Sequence, residues 1–549
     1  MWKSDVTDYY NEQEMKREKD GYKTSVQFEE SGHFWYHFKI VKENETLFLN
    51  KSEDNYSFIA NWKGEDFFQS VLEKEYTCTN SLQGGIIYQI FVDRFCKVGD
   101  VKTREPLIYR EDWGGKIKQN TTDPLIINLE VFGGNFKGVV SKLDYLKELG
   151  ITTIYLNPIS YANSNHKYDT ADYMTVDPMF GTERDFVNLI EEAKQRDINI
   201  IIDGVYNHTG SDSIYFNKEG RFPTLGAFRS PKSRFYSWYN FIDYPNVYES
   251  WWGIDTLPKL ADPCPDFENY IAGDGGVIER FMRLGLAGVR LDVVDEFGDE
   301  FVKKIAKKVH EFGDNKVIMG EVWEDASTKI SYSNRRTYFC QNELNSVMNY
   351  PYKESILNYI REKDSKDLNS TTRMLKNNYP KVVMDNLMNF LGTHDTGRVY
   401  SELKNIASGD EKLTQTYLKI ASLLSFTLPG VPSIFYGDEY GMENNDDSSR
   451  GCFVEKDIKK PVLAWYKKLA KIRQHKVFKD GEMNVLYSDH GKFVFERIGE
   501  DEHVIVCVNL KKSPIEINFE SEYKSLVSGK KAAKAIVSNM EFDIWLKKK

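Results

Sequence analysis

Two short apolar, β-prone runs that each end on a carboxylate constrain this chain more than any other feature. The first reads Gly285-Leu286-Ala287-Gly288-Val289-Arg290-Leu291-Asp292 and the second Lys316-Val317-Ile318-Met319-Gly320-Glu321, with about one amphipathic helix between them. That is the repeat unit of a parallel α/β sheet, and it predicts each acid at the carboxyl end of its strand. In a (β/α)8 barrel that end carries the chemistry, and adjacent strands bring Asp292 and Glu321 within about 5 Å. Taken singly, either acid reads as a helix cap or a surface carboxylate after a strand. As a close pair they are what retaining glycoside cleavage needs, one as nucleophile and one as proton donor.

The same pattern recurs on both sides of this stretch. Continuous apolar runs at 86–92, 151–156 and 198–205 precede 286–292 and 316–321, and further strands are expected at 345–349, 387–392 and 432–436. Helical periodicity falls between them, at 136–149, 185–195 and near 277–284. Eight parallel-type strands predict an α/β chain with a (β/α)8 TIM barrel over residues 84–475. An open doubly wound sheet fits the alternation too, but it needs a glycine-rich phosphate loop that is not found here.

Three segments fall outside that repeat. About seventy residues separate the third strand from the helix near 277, a length that marks a functional loop or an inserted domain, expected at about 207–274. Nine of the eighteen residues from Phe235 to Trp252 are aromatic, so the insert packs on itself or presents stacking platforms. Residues 1–83 read as a small β domain, with alternation at 22–28, a dense aromatic run at 34–41 and a strand at 46–49. So few strands suit a partial module, or one that leans on its neighbour. After His475 the runs Phe493-Val494-Phe495, Val504-Ile505-Val506 and Ile515-Glu516-Ile517 predict a C-terminal antiparallel β-sandwich domain over 476–549.

Composition narrows the function classes. A formal net charge of −10 over 549 residues offers no basic footprint, which disfavours nucleic acid and large polyanions as partners. No run of about 18 apolar residues occurs, and residues 1–30 are polar throughout, so a cytoplasmic location without a membrane partner is expected. The six cysteines, Cys78, Cys96, Cys264, Cys340, Cys452 and Cys507, show no metal-ligand spacing and read as reduced thiols. Aromatic residues make up 14% of the chain, and flat rings are what proteins use to hold sugar faces.

The strand ends can be read together. Strand three ends in Asp203-Gly204-Val205-Tyr206-Asn207-His208, strand four in Arg290 and Asp292, strand five in Glu321, and strand seven in Gly392-Thr393-His394-Asp395-Thr396. These blocks resemble the α-amylase family of glycoside hydrolases. Asn165-His166-Lys167-Tyr168-Asp169-Thr170-Ala171-Asp172-Tyr173 and Leu257-Pro258-Lys259-Leu260 resemble its neopullulanase, cyclomaltodextrinase and amylopullulanase branch. The likeness covers about residues 84–475, and the N-terminal region is only loosely similar to that branch's starch-binding-like domain. Two departures stand out. Val293-Val294-Asp295-Glu296 replaces the branch's usual small-Asn-Glu ending, and Gly451-Cys452-Phe453 replaces a tryptophan-bearing segment that in the branch serves the outer glycone subsites.

The resemblance implies catalytic roles for three acids: Asp292 as nucleophile, Glu321 as acid/base, and Asp395 gripping the hydroxyls of the distorted sugar. Arg290, two residues before Asp292 on the same strand face, would keep the nucleophile ionised. Glu321 would need to hold a proton, with a raised pKa expected from its surroundings. Tyr168 would floor the glycone subsite with Asp169 beside it, His208 and His394 would donate to the same sugar, and Trp323 would stack on the leaving sugar. Asp203 would hold Arg290 and the barrel rather than touch substrate, and Arg450 would reach the mouth of the site. Zinc is rejected because no HxH or HExxH spacing occurs. No cofactor is required; structural calcium is compatible with the family, and Asn207 occupies a place that contributes to one such site. The reaction expected is retaining hydrolysis of α-1,4 bonds, with α-1,6 bonds as a second linkage, in malto-oligosaccharides, cyclodextrins, pullulan or starch fragments, with a homodimer compatible. A 4-α-glucanotransferase would use the same covalent intermediate, and a non-catalytic binding subunit would lack the acids.

Overall fold

Eight short parallel strands buried on both faces form the centre of the molecule, which is why their sequences read as unbroken apolar runs. They are β1 (Ile87–Ile90), β2 (Thr153–Leu156), β3 (Asn199–Gly204), β4 (Gly288–Leu291), β5 (Val317–Gly320), β6 (Ser346–Val347), β7 (Met388–Asn389) and β8 (Val431–Phe435). The computed structural model describes residues 1–548 apart from 6, 8, 44, 53–54, 74–80, 118–127 and 446–447. Cys78 therefore lies outside the described residues, and the other five cysteines are free.

The strands pair in the order β6-β5-β4-β3-β2-β1-β8-β7. A parallel bridge from Met348 to Met388, with Asn349 N donating to Met388 O at 2.9 Å, joins the last two and closes the barrel. Alternation along each strand sends Ile87, Tyr155, Ile201, Val317, Met319, Met388 and Val431 into the interior core. Gly288 is needed where β4 meets β5, because a Cβ there would lie 2.0 Å from the Val317 carbonyl oxygen.

The connecting helices bury their apolar stripes on the outside of the strands. The helix Glu183–Lys194 is an example: Thr182 and Asp185 form a reciprocal capping box at its start, and Phe186, Leu189, Ile190 and Ala193 face the core.

The long connection after β3 packs on itself around its aromatic residues. The Phe216 ring lies 4.7–5.8 Å from those of Tyr239, Phe241 and Tyr248, and a hairpin pairs Phe241–Asp243 with Val247–Tyr248. Its far end remains outside that cluster and presents Trp251 and Trp252.

The C-terminal strands form one continuous six-stranded antiparallel sheet. Ile515–Ser525 pairs with both Lys531–Val537 and Glu541–Lys548. The N-terminal region departs from expectation. Of the expected strand at 22–28 only Gly21–Lys23 pairs, with Lys16–Glu18. The aromatic run at 34–41 breaks at His37 into Gly32–Tyr36 and Phe38–Lys42, which enter two different three-stranded sheets. His37 is buried there with its Nδ1 3.0 Å from Asp66, a contact between distant residues that periodicity does not carry.

Candidate active site

Strand register places the acids. Asp203 stands opposite Arg290, and Leu291 opposite Gly320, so the next residues on β4 and β5, Asp292 and Glu321, emerge side by side at a spacing of about 4.8 Å. Asp292 N donates to Gly204 O and Glu321 N to Leu291 O, both at 3.1 Å, which carries the ladder one residue past each strand. All three carboxylates converge on one buried guanidinium. Arg290 Nη1 lies 2.8 Å from both Asp203 Oδ1 and Asp292 Oδ1, and Nη2 lies 2.9 Å from Glu321 Oε2.

Glu321 is held from two further directions. Val293 N donates to its Oε2 at 2.8 Å, and the indole of Trp323 donates to its Oε1 at 3.0 Å. Val293 does so from φ 42, a left-handed conformation that a β-branched residue adopts only under constraint. Trp323 stacks on Tyr350 with centroids 4.1 Å apart and remains 49% exposed, leaving its other face open.

The opposite wall comes from β1, β2, β7 and β8. The Tyr168 hydroxyl is 2.8 Å from Asp203 Oδ2, 2.5 Å from His394 Nε2 and 3.0 Å from Asn157 Nδ2, and the Tyr168 and His394 rings are nearly parallel at 5.3 Å. Asp395 lies 2.9 Å from His394 Nε2 and 3.3 Å from Arg450 Nη2. Arg450 also donates to the His394 carbonyl at 2.9 Å, so it does reach the site.

The two outer acids titrate in opposite senses. Burial pushes the Asp292 carboxyl well above the ordinary carboxylate range, Arg290 opposes this, and the charges of Glu321 and Asp203 add to it. This corrects the expectation that Arg290 alone would set the group low. Burial also raises Asp395, but His394, Arg450 and Arg290 outweigh it and hold that carboxyl well below the usual range.

Two of the expected sugar-binding residues are engaged within the protein. His208 is 1% exposed, its Nε2 lies 3.1 Å from the Tyr168 carbonyl, and burial lowers its pKa to about 4. Its ring also stacks on that of Trp251. Asp169 accepts from the Ser164 hydroxyl, and burial raises its carboxyl to about 6. Asn207, the residue tied to a calcium site, has its amide 3.3 Å from His208 Nδ1. No group of three or more His, Cys, Asp or Glu among the described residues is placed to hold a metal ion.

The catalytic-domain model of the alpha-amylase family matches residues 89–464, which contain this whole constellation. The chain belongs to the alpha-amylase family. A cyclomaltodextrinase from Thermoanaerobacter pseudethanolicus is 32% identical over 80% of the chain and 72% of its own length. An amylopullulanase from Thermoanaerobacterium saccharolyticum is 30% identical over 92% of the chain, which spans only 45% of that longer protein. Among solved structures, the type III pullulan hydrolase from Thermococcus kodakarensis is similar with a TM-score of 0.75 and 26% identity, covering 94% of this chain and 89% of that one.

Several residues of this alpha-amylase-family site escaped the motifs. Tyr155 donates to Asp203 Oδ2 at 2.7 Å, and Gln89 Nε2 lies 2.9 Å from His394 Nδ1. Tyr350 places a buried hydroxyl in the field of Glu321, Asp395 and Asp292. Gln89 left a signal, since a lone amide inside the apolar run Ile87-Tyr88-Gln89-Ile90 needs a polar partner. Tyr155 and Tyr350 read as ordinary core aromatics, and nothing local set them apart.

Proposed function

We propose that the chain is a retaining α-glucan hydrolase that cuts α-1,4 bonds in malto-oligosaccharides, cyclodextrin or pullulan, with α-1,6 bonds as a second linkage. The observation that carries this reading is the sharing of Arg290 by Asp292 and Glu321 at 2.8 and 2.9 Å. That sharing supports a close carboxylate pair of the roughly 5 Å kind that forms a glycosyl ester.

In the first step Asp292 attacks the anomeric carbon while Glu321 gives its proton to the glycosidic oxygen, and the leaving sugar departs with a free hydroxyl. In the second step Glu321 takes a proton from water, the resulting hydroxide equivalent attacks the same carbon, and the bond to Asp292 breaks. Two inversions leave the α configuration. The first step needs the proton on Glu321 and Asp292 ionised; Arg290 Nη1, 2.8 Å from Asp292 Oδ1, favours that ionisation against the burial that opposes it. Asp395, held ionised, suits a grip on sugar hydroxyls as positive charge builds at the ring. The relatives named cyclomaltodextrinase and amylopullulanase support the substrate class.

Incubation with maltotriose and pullulan, with products followed by chromatography and anomeric NMR, tests the reading. Shorter chains released as α anomers are expected, and Asp292→Asn should lower kcat/KM by at least about a thousandfold. Product released as the β anomer, or turnover of Asp292→Asn within tenfold of the parent, contradicts it. Products longer than maltotriose as the main outcome would favour a glucanotransferase, which shares the first step.

A further inference from the structure

We propose that Trp252 is a stacking platform for a sugar unit on the leaving-group side of the cleft, beyond the unit that receives the proton from Glu321. The inference rests on the α-glucan reading and names a residue that selects substrate length. Three rings form a continuous stack. His208 packs on Trp251 with centroids 5.4 Å apart and planes at 27°, and Trp251 packs on Trp252 at 5.3 Å and 23°. The stack begins at a buried histidine beside Tyr168 and ends on an indole that is 80% exposed.

The backbone enforces that exposure. Trp252 sits at φ 52, where a residue with a side chain is held only if its surroundings impose it. The turn is closed on both sides: Trp251 N donates to Leu257 O at 2.9 Å, Ile254 N donates to Trp251 O at 3.0 Å, and Ser250 bridges to Pro258. A strained turn that carries a large apolar ring out into water gains nothing for the core.

The side of the cleft follows from what the turn touches. Lys259, which bridges by backbone to His208, donates to Glu296 at 2.7 Å, four residues after Asp292. The Tyr332 hydroxyl also hydrogen-bonds to Glu296, and the Lys259 ammonium lies 4.9 Å from the centroid of the Tyr332 ring. Loops after β3, β4 and β5 are therefore laced together at Glu296, and they present two exposed rings, Trp252 and Tyr332. Trp323 and Glu321 belong to the same side, whereas Tyr168, His394, Asp395 and Arg450 wall the other. A chain leaving with the proton of Glu321 runs past this rim, and the flat C–H face of a pyranose suits an indole face. Contact with such a remote unit is used in the transition state and favours longer substrates.

The test compares the parent, Trp252→Ala and Trp252→Phe on maltohexaose and on 4-nitrophenyl α-maltoside, whose aromatic leaving group fills only the first leaving-group position. The ratio of kcat/KM for the hexaose to that for the nitrophenyl glycoside should fall about tenfold in Trp252→Ala and stay within about twofold of the parent in Trp252→Phe. An unchanged ratio in Trp252→Ala, or equal losses on both substrates, overturns the proposal while leaving the hydrolase reading intact. Calorimetric titration of maltohexaose into Glu321→Gln, with and without Trp252→Ala, reads binding without turnover, and a Kd about tenfold weaker is expected in the double variant. A parent inactive on both substrates removes the hydrolase reading, and an unchanged hexaose Kd removes the platform.

Discussion

Arg290 Nη2 lies 2.9 Å from Glu321 Oε2, so the arginine expected to serve Asp292 also holds Glu321. Its other terminal nitrogen serves Asp203 and Asp292, each at 2.8 Å. A planar guanidinium can hold three carboxylates in fixed directions, and a lysine ammonium cannot. Arg290→Lys should lower kcat by about a thousandfold with a smaller change in KM, because it loosens the geometry of the reacting pair. Steady-state kinetics on maltotriose check this, and a kcat within tenfold of the parent would show that the shared guanidinium is dispensable.

Tyr168 ties the two walls of the site together through Asp203, His394 and Asn157. Tyr168→Phe keeps the ring against His394 but leaves those buried groups short of a partner, at a cost of about 1–3 kcal/mol in stability. We expect kcat/KM to drop by about ten- to a hundredfold, measured beside urea unfolding of the same preparations.

Glu439 supplies a pH dependence separate from catalysis. Burial raises its carboxyl to about 7, although Tyr88 and Tyr145 donate to its Oε1 at 2.7 and 2.8 Å. The folded protein then keeps a proton that the unfolded chain loses near pH 4.5, so this group's contribution to stability falls as pH rises from about 4.5 to 7 and is level above that. Glu439→Gln should flatten that part of the curve and stabilise the protein at pH 8 by about 1 kcal/mol relative to the parent. Urea midpoints at pH 5, 6, 7 and 8 give the answer, and parallel curves for the two proteins would contradict it.

Gly288 sits where the strands carrying both acids meet. A Cβ at that position falls 2.0 Å from the Val317 carbonyl oxygen, a backbone atom that cannot step aside without opening the ladder. Gly288→Ala should cost more than about 3 kcal/mol. Thermal unfolding reads the loss, and a melting temperature within 2 °C of the parent would rule out the clash.

The barrel was legible because each of its strands is a local pattern. Runs such as 151–156 and 198–205 are apolar on both faces, punctuated by loops and amphipathic helices, and they needed no partner to be recognised. Asp292, Glu321 and Asp395 were legible for the same reason, since each follows such a run. The run at 34–41 was not legible as two strands because it breaks at His37, which pairs with Asp66, 29 residues away.

By itself the sequence determined where along the chain the eight barrel strands fall and that Asp292, Glu321 and Asp395 each follow one of them. Only the tertiary structure decided what those acids touch. It gave Glu321 the same arginine as Asp292, covered His208 with Trp251, and turned Asp169 toward Ser164. It also made burial outweigh Arg290 at Asp292. The physical reason is that period and burial are properties of one segment, whereas hydrogen-bond partners, ring stacks and the field at a carboxylate are sums over segments that meet only when the barrel closes.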